Sequence, residues 1–185
     1  MPYQEKVYKN YFYHLYNRGN NYQDIFFEEK NYYFFIKRIT EYFEDKIEII
    51  AYVLMPNHYH FIIKPNIDGY LEKAMQKFST SYTKAINKSQ GRVGHLFQGR
   101  YKIKLVPENN YLLHLSRYIH LNPVRANLAK SPEDWKFTSY HDFVGLRDTP
   151  FLKKSIITDQ IDDYSVFVKT FSDEQNYFVN KLLFK

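Results

Sequence analysis

The sequence predicts an α+β fold, a ferredoxin-like antiparallel sheet with helices packed on one face and a helical extension at the C-terminus. Three observations lead there. Apolar residues recur at helical spacing over residues 29–43 and 70–90. Short aromatic or β-branched runs, the length of strands, flank them. Their order is strand, helix, strand, strand, helix, strand, helix, whose first six elements follow the ferredoxin-like β-α-β-β-α-β pattern.

The aromatic-rich stretch 11–17 reads as the first strand, and Arg18-Gly19-Asn20-Asn21 as a loop. In 29–43, Tyr32, Phe35, Ile36, Ile39, Tyr42 and Phe43 share a helical face. Residues 47–54 form a nearly continuous apolar run, the pattern of a central strand. Met55-Pro56-Asn57 signals a turn, and 59–64 reads as the returning strand of a hairpin. Between 70 and 90, Leu71, Ala74, Met75, Phe78, Tyr82, Ala85 and Ile86 make one helical face, with Lys73, Lys77, Lys84 and Lys88 opposite. Residues 101–106 alternate as a strand. Residues 109–122 form a helix that Pro123 should end, because the residue before a proline is pushed out of helical geometry. Short helices are expected at 158–170 and 172–183. The expected division is a main domain, 1–149, and a C-terminal tail, 150–185.

Composition narrows the function classes. The formal net charge is +6 and the pI about 9.2, a balance that favours polyanionic partners. The 19 tyrosines and 16 phenylalanines can fill a core or, exposed beside cations, stack on bases; composition does not divide them. Without cysteine, disulfides, zinc-thiolate sites and cysteine nucleophiles are excluded, which fits a cytoplasmic protein. No apolar run approaches a membrane span and the N-terminus lacks the core of a signal peptide, so no membrane association is expected.

Two local patterns carry chemistry. His58 and His60 flank Tyr59 at the start of a predicted strand, so alternation puts both imidazoles on one face and Tyr59 on the other. Two imidazoles so placed can share a metal; they can equally be ordinary strand histidines. Tyr118 and Asn122 lie four apart on a predicted helix and share a face. A deprotonated tyrosine can attack a phosphodiester, and an asparagine oxygen suits a hard divalent cation. Against this, most tyrosines are packing residues, and an asparagine before proline is often only a helix cap.

The wider context resembles a known family. Met55-Pro56-Asn57-His58-Tyr59-His60-Phe61-Ile62 is similar to the His-hydrophobic-His signature of HUH endonucleases. Arg117-Tyr118-Ile119-His120-Leu121-Asn122-Pro123-Val124-Arg125-Ala126 resembles the tyrosine segment of single-tyrosine transposases, in particular REP-associated tyrosine transposase-like proteins. Gly94-His95-Leu96-Phe97-Gln98-Gly99-Arg100-Tyr101 and Trp135-Lys136-Phe137-Thr138-Ser139-Tyr140 look like the same branch, so the resemblance spans roughly residues 11–144. It implies a metal-dependent single-stranded DNA endonuclease and strand transferase acting on hairpin or repeat DNA. Mg2+ or Mn2+ would be held by His58, His60 and Asn122. Tyr118 would become joined to a 5′ phosphate, freeing a 3′ hydroxyl. His120, His95 and His114 are weaker ligand candidates, and Tyr101 and Tyr111 weaker nucleophiles.

The basic residues Lys73, Lys77, Lys84, Lys88, Arg92, Arg100, Lys102, Lys104, Arg117 and Arg125 cluster in sequence around these motifs and are candidate DNA contacts. The lysine face of residues 70–90 can also be simple solvation. Two other function classes stay open: a non-catalytic nucleic-acid-binding relative, and a small-molecule metalloenzyme on a β-barrel, which the long helix and basic balance disfavour. A homodimer with catalysis in trans is also compatible with the sequence.

Overall fold

A computed structural model describes residues 6–170. Four strands, β1 (Phe12–Arg18), β2 (Ile47–Met55), β3 (His58–Pro65) and β4 (Lys102–Val106), form one sheet in the order β2-β3-β1-β4. All three pairings are antiparallel. This is the ferredoxin-like strand order expected from the element pattern. The helices are α1 (Glu29–Phe43), α2 (Tyr70–Ser89) and α3 (Asn109–Arg125), followed by the short α4 (Tyr140–Phe143), α5 (Ser155–Thr158) and α6 (Tyr164–Lys169). The helix expected at 172–183 lies outside the described residues. Among the described residues no helix is long and apolar enough to cross a membrane.

Alternation along the strands divides the core in two. On one face, Tyr13, Leu15, Tyr59, Phe61 and Ile63 pack against the apolar sides of α1 and α2. On the other, Ile50, Val53, Met55, Ile62 and Val106 meet Leu112, Leu115, Tyr118 and Ile119 of α3. The expectation of helices on one face therefore holds for α1 and α2 and is corrected for α3. The physical reason is β2 and β3, which are apolar on both sides and cannot leave either to water.

Two further expectations are corrected. Residues 47–54 read as a central strand, but β2 is at the edge of the sheet. Its apolar run has two causes. A register shift between Ile49 and Ala51 puts Ile50 and Ala51 in the same cluster, breaking the alternation. Later segments then cover the edge: Lys153 N donates to Ile49 O at 2.9 Å, and Ser139 N to Tyr52 O at 2.9 Å. Nor does Pro123 end α3, which runs on to Arg125. A proline there removes one backbone donor, at the end of a helix whose position is set by packing, and Pro123 is itself buried.

A buried polar chain ties α3 to both neighbours. His120 Nδ1 lies 2.8 Å from Tyr164 Oη on α6, and its Nε2 lies 2.8 Å from Ser139 Oγ. Tyr164 Oη donates to Ser116 Oγ at 2.9 Å, and Ser139 Oγ accepts from Tyr52 N at 2.8 Å.

Candidate nucleic-acid-processing site

β3 and α3 bring the two chemical patterns together. His58 and His60 lie on the α3 face of the sheet, their rings 5.1 Å apart between centroids and nearly perpendicular. Tyr59 points the other way and is fully buried against α1. From α3, Tyr118 stands edge-on to His60 at 5.9 Å. Asn122, one turn on, donates from Nδ2 to the Tyr118 carbonyl at 3.1 Å, and its amide lies near enough to His58 and Tyr118 to influence the pKa of both.

Burial dominates the electrostatics. Desolvation, countered in part by Asn122 and reinforced by Arg18, takes His58 down to about 4. Burial, with His14 and His58 adding to it, pushes His60 well below the usual histidine value. Both are therefore neutral at physiological pH, the form that ligates a metal. Tyr118 is raised by burial, against which Asn122 and the Arg125 guanidinium act. That guanidinium sits over the Tyr118 ring, 5.2 Å from its centroid.

The donor set fits a divalent cation. His58 Nδ1 is 2.6 Å from Asn57 Oδ1, and His60 Nδ1 is 2.8 Å from His14 Nε2, so each ring has Nε2 left to offer. Among the described residues no three His, Cys, Asp or Glu side chains gather into a metal cluster. A third protein ligand would then be of another type, and the Asn122 side chain is the amide that adjoins both His58 and Tyr118.

Most of the competing residues fall elsewhere. Both His120 nitrogens are taken up in the buried polar chain. His114 packs against Phe167. Tyr101 is buried in the α1–α2 core. Tyr111 is the exception: half-buried on α3 near the site, it is raised to about 12 by desolvation first and then by its neighbours Tyr16 and Tyr118.

The basic residues divide. Lys102 and Lys104 lie on the site face of β4, paired across the sheet with Tyr16 and His14. Arg125 is also at the site. The expected clustering fails for the α2 lysines, because α2 buries its apolar side against the opposite face and turns Lys73, Lys77, Lys84 and Lys88 to solvent there. Arg117 is buried, with its guanidinium 3.7 Å from the Phe167 ring centroid, so it holds α6. Arg92 donates to Gln23 Oε1 at 2.8 Å and lies over Phe27. Arg100 is exposed beside Tyr101, away from the histidines.

Four residues at the site escaped the sequence reading: His14, Tyr16, Asn57 and Arg18. His14 and Tyr16 stack at 4.6 Å, and Tyr16 stacks on His60 at 5.7 Å. The signal was available in the period-two pattern Phe12-His14-Tyr16 on a strand that ferredoxin-like order places beside β3.

The family model described as "Transposase IS200 like" matches residues 7–122, which include both histidines, Tyr118 and Asn122. The chain belongs to this transposase family. A REP-associated tyrosine transposase of Haemophilus influenzae is 23% identical over 104 residues, covering 51% of this chain. The match spans 59% of that relative's length. The solved structure of a REP-associated tyrosine transposase bound to a REP hairpin superposes with a TM-score of 0.67 at 21% identity, over 82% of this chain and 89% of that one. Its strands and helices give the IS200-like transposase fold described above.

Proposed function

We propose that the protein is a metal-dependent single-stranded DNA endonuclease and strand transferase that works through a covalent 5′-phosphotyrosine on hairpin or repeat DNA. The observation that carries this is the meeting of Tyr118 with His58, His60 and Asn122 at one end of the sheet, within a single chain. Its membership of the transposase family and the hairpin bound by the structural relative support the substrate class.

His58, His60 and Asn122 would hold Mg2+ or Mn2+, which supplies polarisation of the scissile phosphate. Tyr118 Oη attacks phosphorus, its proton passing to water. The bond from phosphorus to the 3′ oxygen breaks, leaving a 3′ hydroxyl on one strand end and the 5′ phosphate on the tyrosine. Attack by a 3′ hydroxyl reverses the step, so joining needs no nucleotide cofactor. Arg125, over the Tyr118 ring, favours the phenolate. Lys102 and Lys104 line the same face and can hold the flanking backbone. Because one chain supplies every member of the set, the reading is of catalysis in cis.

The test uses purified protein, MnCl2 or MgCl2, and a labelled hairpin oligonucleotide with a single-stranded 5′ extension. A covalent adduct that survives denaturing electrophoresis is expected from wild type and not from Tyr118→Phe. An adduct formed equally by Tyr118→Phe would remove the tyrosine assignment. Hairpin binding with no cleavage under any divalent metal would favour the non-catalytic nucleic-acid binder.

A further inference from the structure

We infer that His14 is a positioning residue for His60, accepting the hydrogen on His60 Nδ1 and so keeping Nε2 of His60 as the lone pair available to a metal. This rests on the metal reading proposed above.

The geometry is that of a deliberate pair. His14 is fully buried on β1, opposite Ile62 of β3, and its Nε2 is 2.8 Å from His60 Nδ1. The two rings lie 14° from parallel with centroids 5.0 Å apart, and Tyr16 stacks on both. A neutral imidazole carries one donor and one acceptor, so the shared bond has two forms. If His14 Nε2 carries the hydrogen, His60 must be protonated on Nε2, and that nitrogen cannot ligate. If His60 Nδ1 carries it, Nε2 is free.

His58 indicates which form the site uses. Asn57 Oδ1 lies 2.6 Å from His58 Nδ1, while Asn57 Nδ2 donates to the Tyr22 carbonyl at 3.2 Å, which orients the amide. An amide oxygen only accepts, so His58 carries its hydrogen on Nδ1 and presents Nε2. For His60 to match it, His60 has to be the donor to His14. In either form His14 Nδ1 is buried with no hydrogen-bond partner, so the orphan marks the pair without itself choosing the tautomer. Simple packing gives no reason for the orphan, since a phenylalanine would fill the space without leaving an unpaired polar atom. The orphan is explained if the other His14 nitrogen is needed at His60, and the match to His58 makes it the acceptor, the usual way in which a second residue fixes the tautomer of a ligating histidine.

The experiment pairs a spectroscopic and a binding readout. Long-range 1H–15N spectra of the histidine rings, taken on metal-free and Mg2+-loaded protein, report each tautomer directly. Titration calorimetry with Mn2+ reports affinity. Wild type is expected to show His60 protonated on Nδ1. His14→Phe should release His60 to a tautomer mixture and weaken Mn2+ binding about 10–100-fold. His14→Gln, whose amide oxygen can accept the same hydrogen, should recover most of that loss. The inference is overturned if His60 in wild type is protonated on Nε2, a result that needs no variant to fold. It is overturned equally if folded His14→Phe binds Mn2+ as wild type does. Wild type that shows the Nδ1 tautomer but binds neither metal would bear out the pairing and overturn the metal reading instead.

Discussion

Tyr118 on α3 and His60 on β3 meet edge to face, 5.9 Å between centroids at an interplanar angle of 85°. The contact joins the candidate nucleophile to a candidate ligand across a packed interface, so their separation is held by the core between helix and sheet. It also buries the phenol, and that burial raises its pKa, against the pull of Asn122 and Arg125. Adduct formation should therefore speed up as pH rises through the neutral range, because more of Tyr118 is phenolate. Arg125→Gln removes the cation over the ring. It should displace the single-turnover pH profile upward and slow the reaction at pH 7.5 several-fold. An unchanged profile would show that Arg125 acts on the DNA alone.

The two sets of cations should behave differently. Lys102, Lys104 and Arg125 share the face of the histidines, whereas Lys73, Lys77, Lys84 and Lys88 lie across the sheet on α2. Lys102→Ala should weaken hairpin binding and lower the salt dependence by about one unit of slope, as loss of one phosphate contact does. The fourfold alanine variant on α2 should leave single-turnover adduct formation within about twofold of wild type. Fluorescence anisotropy across a salt series, with the adduct assay beside it, separates the two. A larger loss from the α2 variant would make that helix the DNA track after all.

Stability should fall in mild acid, before the carboxylates titrate. His14 and His120 are fully buried, and desolvation lowers each to about 3. In the unfolded chain they take up protons near 6.5, so between the two values the unfolded state binds more protons. Their contribution is thus complete above about pH 7 and is lost as pH falls from 6.5 toward 3. From pH 7.5 to 5, each should remove about 2 kcal/mol. Urea midpoints across that range measure the slope, and His120→Gln, which titrates nowhere in it, should flatten it. A midpoint that stays level from pH 7.5 to 5 would contradict the burial of these neutral rings.

The sequence made the repeating elements legible because their periods are local. Glu29–Phe43 is the predicted helix to the residue, and the strand order follows from the element pattern. His58 and His60 were legible for the same reason, as was Tyr118 with Asn122. What sequence left open was set by contacts between distant segments. Residues 47–54 looked central because segments near Ser139 and Lys153 cover their edge. Arg117 looked like a phosphate contact because its neighbours in sequence are at the site, yet it points to Phe167. The period-two pattern of β1 gives His14 a face but no partner; only the pairing of β1 with β3 brings it to His60.

Gly19 is the sharpest test of how the loop after β1 supports His58. A Cβ added there would sit 1.9 Å from the Gln23 backbone oxygen, which cannot move aside as a side chain could. Gly19 N also donates to Asn57 O at 2.7 Å, beside the amide that engages His58. Gly19→Ala should cost about 1–3 kcal/mol through overpacking and lower Tm by several degrees. By displacing Asn57 it should also weaken Mn2+ binding more than stability alone explains. Gly145→Ala is the control: Gly145 has φ +77° with nothing within 4 Å of the new Cβ, so the change strains backbone away from the site. It should lower Tm while leaving Mn2+ affinity at the wild-type value. If both variants lose Tm and keep Mn2+ affinity, the loop carries stability only, and the orientation of His58 does not depend on it.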